Sequence, residues 1–343
     1  MPLITIIIPV FNNRTEDILR CLKSLHDENH LKYNEKIEII VIDDGSCSEC
    51  AKVLDLLPSN YPKVKVFHQL NRGVSNARNR GVACASGKYV AFVDADDMVT
   101  RSFIPDAIFA IEHTKGKLDV IYGLVEYIET DVNGCLNDDV YERDHDVASF
   151  ILTEKQKESL RCHFFDLGQS EFVFNNYYIS RGPVARLVKK SLAEQHKFEE
   201  TLSMGEDAVW NLEILKFARQ IGIVKRLWYY YIKNTASATQ TFSDKSVGQY
   251  GDLIWKLAEY ADEEEKKACL LKKTISLSVE LANGYFLTSK FNGSFLQAVK
   301  EFNKMFCSPP WNLVLESKYA FKAGHKYFKK YILIKTGLYL FLQ

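Results

Sequence analysis

Apolar positions in the first hundred residues fall into short continuous runs, and each run stops at a small polar cluster. Residues 3–9 read Leu-Ile-Thr-Ile-Ile-Ile-Pro, the pattern of a strand buried on both faces of a parallel sheet. Ile18, Leu19, Leu22 and Leu25 then recur at helical spacing. Further buried strands are predicted at 37–42, ending in Asp43-Asp44-Gly45-Ser46, and at 64–68, ending in Asn71-Arg72-Gly73. A helix through Val74, Ala77, Arg78, Val82 and Ala83 stops at Gly87, and a strand at 89–93 ends in Asp94-Ala95-Asp96-Asp97. Strand alternating with helix predicts an α/β fold with a mostly parallel sheet flanked by helices. In such sheets ligands bind outside the carboxyl ends of the strands, where these polar clusters converge.

Two carboxylates at Asp-x-Asp spacing on a strand end point the same way, because side chains alternate with period two. Asp94 and Asp96 therefore suit a hard divalent cation, Mn²⁺ or Mg²⁺, that would stabilise a diphosphate leaving group. The competing explanation is a cap for the helix predicted over 102–112, although three Asp in four residues exceed what one cap requires. Asp43 and Asp44 could meet a nucleobase or ribose, or simply make a turn with Gly45. Glu206 and Asp207 begin a helix predicted over 207–218, where the dipole favours negative charge. A general base and a plain acidic helix start explain that pair equally well.

From about residue 245 the chain turns helical. The last stretch, 318–343, mixes Lys with Tyr, Phe, Ile and Leu, and the last 33 residues hold six Lys against one Glu. Such a basic aromatic segment could lie on an anionic bilayer, or pack its apolar side on the protein or on a second copy of the chain. The boundaries this suggests are a domain over 1–240, with a nucleotide-binding half at 1–100 and an acceptor-side half at 101–240, then a helical region over 241–343.

Composition narrows the classes further. The chain has 343 residues, 47% hydrophobic and 26% charged, the profile of a globular enzyme. Its 44 basic residues balance 44 acidic ones, so no nucleic-acid partner is expected. No basic leader precedes the first strand, and the eight Cys show no zinc spacing; Cys47 and Cys50 read as loop thiols. A cytoplasmic location, peripheral on the inner membrane face if the tail binds lipid, is the expectation. No apolar run of about 18 residues is present to span a bilayer.

Five segments in one order carry a resemblance: Ile6-Ile7-Ile8-Pro9-Val10-Phe11-Asn12, Val41-Ile42-Asp43-Asp44-Gly45-Ser46, Gly73-Val74-Ser75-Asn76-Ala77-Arg78-Asn79, Asp94-Ala95-Asp96-Asp97 and Gly205-Glu206-Asp207. Together they resemble the family 2 inverting glycosyltransferases of GT-A fold that build bacterial capsule, exopolysaccharide and lipopolysaccharide. The resemblance implies that Pro9, Phe11, Asn12, Asp43 and Asp44 line a nucleoside pocket, with Asp44 bonding to uracil. It implies Arg78 at the donor phosphate or sugar, and Asp94 and Ala95 near the ribose or donor sugar. Asp96 would hold the Mn²⁺ or Mg²⁺, Lys233 would cover the diphosphate, and Asp207 would be the catalytic base with Glu206 beside it. Arg186 would occupy the basic position of a segment that in relatives carries more aromatics. The implied reaction moves a hexose or N-acetylhexosamine from a UDP-sugar to a polysaccharide or lipid-linked glycan. Two other classes compete: a nucleotidyltransferase that makes sugar nucleotides, and a non-catalytic carbohydrate-binding protein. The first strand is followed by neither a Gly-rich phosphate loop nor Gly-x-Gly-x-x-Gly.

Overall fold

A computed structural model of the chain describes residues 1–128, 149–165, 172–174, 177–232, 242–315, 317–322 and 324–342. Its contacts divide the chain into two units. The first comprises Met1–Lys157, Glu171–Glu200 and Glu213–Asn234, and the second Glu158–Ser170, Thr201–Leu212 and Thr235–Gln343.

The first unit is built on one sheet whose described strands are β1 (Ile4–Val10), β2 (Ile37–Asp43), β3 (Val64–His68), β4 (Tyr89–Phe92), β5 (Met98–Val99), β6 (Val120–Ile128), β7 (Ser149–Ile151), β8 (Val173–Phe174), β9 (Tyr177–Tyr178), β10 (Arg186–Lys189) and β11 (Ile221–Ile232). The order is β3-β2-β1-β4-β10-β6-β11-β5, with β7 on β11 and β9 on β6. β1 runs parallel to β2 and β4, and β2 to β3, as the unbroken apolar runs predict. Beyond β4 the sheet is mixed: β10 lies antiparallel between β4 and β6, and β11 is parallel to β6 but antiparallel to β5. The cause is topological. β9 and β10 both run antiparallel to β6 along one of its edges, so the chain enters β10 still travelling in the direction of β9.

Every residue of β2 is buried, and so is all of β1 except the half-buried Pro9. The helices Thr15–Leu25 and Phe103–His113 cover one side of this sheet, setting Ile18, Leu22, Ile104 and Ile108 into its core. The second helix starts at Phe103, with Ser102 as its N-cap residue and β5 intervening. The Asp94–Asp97 cluster thus does not cap it.

The second unit is helical, with long helices Ser246–Ala258, Glu264–Leu281, Phe295–Met305 and His325–Lys335. A reciprocal capping box, Ser294 with Gln297, starts the third of these. Its interior is aromatic: Phe302 meets Phe286 edge-on at 5.3 Å and lies near Tyr339 at 6.1 Å. The basic tail is a turn, a helix and a final turn rather than one continuous helix. Tyr331, Ile334, Tyr339 and Leu340 are buried, and the Tyr331 hydroxyl donates to the Leu315 carbonyl at 2.8 Å. Phe321, Ile332, Leu338, Phe341 and Leu342 remain exposed. One apolar side of the tail therefore packs on its own unit. Among the described residues no helix is long and apolar enough to cross a membrane.

Candidate functional site

Three strand-end loops of the first unit are laced together. Asn12, at the end of β1, adopts a left-handed backbone (φ 54°), which Asn tolerates better than most residues. In that pose its N–H donates to Ser46 Oγ at 3.0 Å while its Oδ1 accepts the Cys47 N–H at 2.7 Å. The Asp44 N–H donates to the Val10 carbonyl at 2.8 Å. Gly45 sits at φ 77°, and a Cβ there would lie 2.6 Å from the Asn71 backbone nitrogen. Only glycine lets the second and third loops approach this closely.

The two carboxylates at the end of β2 look inward. Asp43 accepts from the Ser46 N–H at 2.9 Å and meets His68 Nδ1 at 2.7 Å. Burial opposes its charge, but these hydrogen bonds win and hold Asp43 below the usual carboxylate range. Asp44 is 3% exposed. Its Oδ1 accepts from Gln69 Nε2 at 2.7 Å and the Arg72 N–H at 2.9 Å, and its Oδ2 from the Gly73 N–H at 2.8 Å. A carboxylate offers about four lone-pair directions, and these three bonds occupy three of them. Before any ligand arrives, Asp44 is the post that fixes residues 69–73. Pro9 is half-buried beside it, and Phe11 is 51% exposed.

At the end of β4 the residues alternate: Asp94 and Asp96 are half-buried while Ala95 and Asp97 are buried. Asp94 meets the Arg78 guanidinium at 3.3 Å, and Arg78 lies over the Phe198 ring at 5.3 Å. The Asp96 carbonyl accepts from Arg20 at 3.0 Å. The third carboxylate faces the other way. Asp97 accepts from the Tyr229 hydroxyl at 2.7 Å and the Ile232 N–H at 2.8 Å. Burial, and then the charges of Asp94 and Asp96, push its pKa well above the ordinary carboxylate value. The donor chemistry of Asp94 and Asp96, two hard oxygen groups with outward access, fits a divalent cation completed by phosphate and water. Among the described residues no three His, Cys, Asp or Glu side chains cluster closely enough to hold a metal by protein ligands alone.

Tyr229 and Asp97 were hidden in the sequence because an aromatic strand and an Asp triplet do not say which members point inward. A ring cluster was hidden too: Tyr127 stacks on Tyr178 at 5.3 Å and meets Tyr231 at 5.0 Å. Burial, then the charges of Asp94 and Asp97, raise the Tyr231 pKa, so this cluster feels the carboxylates of the β4 end. Arg186, expected to fill the basic position of its segment, is 1% exposed. It lies over Tyr122 at 4.8 Å and donates to the carbonyls of Ser180, Gly182 and Val184. Its strand β10 is interior, so the side chain serves the loop before it. Cys47 is exposed and Cys50 is buried in the helix Ser48–Asn60, where burial raises its pKa.

The structure thus brings Pro9, Phe11, Asn12, Asp43, Asp44, Arg78, Asp94, Ala95 and Asp96 to the strand ends of the first unit. Glu206 and Asp207 form the half-buried first turn of the helix Glu206–Phe217, after Gly205 at φ 72°. Those two carboxylates belong to the second unit. Lys233 lies outside the described residues.

Comparison with known proteins adds a sequence match and a fold match. The model of the family described as Glycosyl transferase family 2 matches residues 5–176. An uncharacterized glycosyltransferase of Escherichia coli K12, YibD, is 44% identical over 96 residues, 28% of this chain and 26% of that one. The putative glycosyltransferase EpsH of Bacillus subtilis is 25% identical over 253 residues, 71% of this chain and 64% of its own length. The chain thus spans from about a quarter to just under two thirds of these relatives. Among solved structures, S. aureus TarS 1-349 superposes with TM-score 0.59 at 19% identity, covering 97% of this chain and 90% of that one. A structure of the same TarS segment in complex with UDP-GlcNAc gives TM-score 0.61 at 18% identity, with the same coverage. At such identity these structures speak for the fold.

Proposed function

The chain belongs to glycosyl transferase family 2, and from that premise we propose that it is an inverting sugar transferase using a UDP-sugar donor in the synthesis of a bacterial surface glycan. The observation that carries this reading is the pair of half-buried carboxylates, Asp94 and Asp96, beside the laced loops of β1 and β2. A nucleotidyltransferase would need a Gly-rich phosphate loop after β1, where Pro9, Val10, Phe11 and Asn12 stand. A carbohydrate-binding module would have no use for the strand-end carboxylates.

In this proposal Phe11 and Pro9 flank the base, Asp44 reads uracil with its remaining lone pair, and Asn12 and Asp43 hold the pocket's shape. Arg78 steadies the donor through its contact with Asp94, and the backbone at Ala95 lets the donor sugar approach. Asp96 would hold Mn²⁺ or Mg²⁺, which when bound offsets the charge of the departing diphosphate. Asp207 takes the proton from the attacking acceptor hydroxyl, with Glu206 beside it shaping the acceptor's approach. The new bond forms at the anomeric carbon as UDP leaves, so one displacement inverts the configuration. Lys233 would neutralise the diphosphate. The acceptor is a glycan or lipid-linked glycan, and the Tyr127, Tyr178 and Tyr231 rings are a surface on which sugar faces can stack. The domain assignment follows the same reading: 1–240 the transferase domain, 241–343 its helical extension. Membrane contact would fall to the tail's exposed Phe321, Ile332 and Phe341.

Calorimetry with UDP, GDP, CMP, ADP and NAD, each with and without Mn²⁺, tests the proposal. UDP binding strengthened by Mn²⁺ and lost in Asp96→Asn is expected. Metal-free NAD binding, or none by any nucleotide, would overturn it.

A further inference from the structure

The helix Val74–Cys84 carries two opposite tasks. With about 100° of turn per residue, Asn76, Asn79, Arg80 and Ala83 share one face, centred about 150° from Arg78. Arg78 is turned toward Asp94 and is 4% exposed. The other face borders an open cavity of about 510 Å³, closed by Gln69, Leu70, Arg72, Lys197 and Glu200. Two of these residues also bond to Asp44 of the strand-end site, Gln69 through its side chain and Arg72 through its backbone N–H.

The cavity's amides and carboxylate are committed to one another. Glu200 accepts from Asn76 at 2.8 Å and from Asn79 at 2.9 Å. Asn79 also exchanges two hydrogen bonds with the Phe198 backbone, at 2.9 and 3.0 Å. Gln69 donates to Asn76 at 2.9 Å and to Asp44 at 2.7 Å. Arg80 donates to the His68 carbonyl at 2.7 Å. Hydrogen bonds from Asn76 and Asn79 hold Glu200 below its ordinary pKa, with Arg72 and Lys197 adding to the effect, so both cations lie close by. These contacts brace the wall and leave the cations to face the solvent-filled space. Arg72 and Lys197 are exposed and enter no ion pair among the described residues. Three cations against one carboxylate give the lining a net charge of +2.

A braced, cationic cavity of this size suits an anion. We propose that it binds an anionic group of the glycan acceptor, a phosphate or a carboxylate, with Arg72 and Lys197 as the charge-reading residues. The acceptor part of this inference rests on the transferase reading; the anion site does not. An acceptor held there lies across one helix, on the order of 10 Å, from the Arg78–Asp94 pair.

The test is calorimetry of the full chain with glycerol phosphate, glucuronate and glucose, on wild type and on the double variant Arg72→Gln/Lys197→Gln. We expect anion binding without glucose binding, weakened at least tenfold in the variant, while UDP with Mn²⁺ binds both proteins equally. Glycerol phosphate alone would assign a phosphorylated glycan, glucuronate alone an acid-sugar glycan. Absence of anion binding, or equal affinity in the variant, overturns the proposal. Loss of UDP binding in the variant overturns it too, by making the cavity part of the donor site. Failure of wild type to bind UDP would sink the transferase reading, whereas an anion affinity that needs Arg72 and Lys197 would still support the cavity.

Discussion

Tyr229 donates its hydroxyl to the buried Asp97 carboxylate at 2.7 Å and with the same oxygen accepts the Asp94 N–H at 3.1 Å. One phenol on β11 thereby fixes the turn that presents Asp94 and Asp96. Tyr229→Phe removes both bonds, leaving the buried Asp97 Oδ2 unpaired beside the Ile232 N–H contact and freeing the Asp94 N–H, at about 1–3 kcal/mol each. Urea denaturation should show a loss of about 2–6 kcal/mol, and calorimetry a weaker Mn²⁺-dependent UDP affinity. Wild-type stability in Tyr229→Phe would mean that the turn is held by something else.

Asp207→Asn separates binding from chemistry. The variant should keep wild-type UDP affinity and lose transfer by roughly 10²-fold or more, the usual contribution of a general base. Turnover near wild type with the natural acceptor would remove Asp207 from the proposed role.

Gly45→Ala should be among the most damaging single changes in the first unit. Its left-handed backbone alone costs about 1–3 kcal/mol with a side chain, and the added carbon would lie 2.6 Å from the Asn71 nitrogen. Because the contact is with backbone, relief must come by moving a loop that Asp44 holds. A shift of the denaturation midpoint together with loss of UDP binding is expected; a variant that binds UDP normally would show the loop contact to be dispensable.

Acid should weaken the fold through Glu38, at the other end of β2. Burial opposes its ionisation, but hydrogen bonds from Lys65, Ser86 and Thr5 prevail and hold its pKa down to about 2. The folded pKa lies below the unfolded model value of 4.5, so this stabilisation is complete above pH 4.5 and lost as pH falls toward about 2. Lys65 is 59% exposed, so screening reduces the contribution to roughly 1–2 kcal/mol. The stability of Glu38→Gln, followed by urea titration between pH 6 and 3, should fall less steeply than wild type. Identical slopes would assign the acid sensitivity elsewhere.

The legible and illegible parts of this molecule differ for physical reasons. β1, β2 and β4 were readable because a strand buried on both faces must be apolar throughout, and its polar terminus marks the loop. The mixed half of the sheet was not, since nothing in the Arg186–Lys189 segment encodes the direction of its partner. Asp97 and Arg186 carry charge, yet each is buried and hydrogen-bonded within the first unit, which no pattern in the sequence discloses. The tail showed its amphipathic composition, but not that Tyr331, Ile334, Tyr339 and Leu340 would be used inside the helical unit.

The lacing of the loops at Asn12, Asp44 and Gly45 bears on how such a protein could acquire a new donor. Each of the ties joining Asn12 to Ser46 and Cys47, and Asp44 to Val10, Arg72 and Gly73, has at least one main-chain partner at fixed separation, so lengthening a loop by a single residue would break its ties to the others. Variation is left to side chains that the lacing does not use, such as the exposed Phe11 ring. A lineage changing its nucleotide would therefore do so by exchanging residues in place, keeping the loops' lengths as an inherited constant.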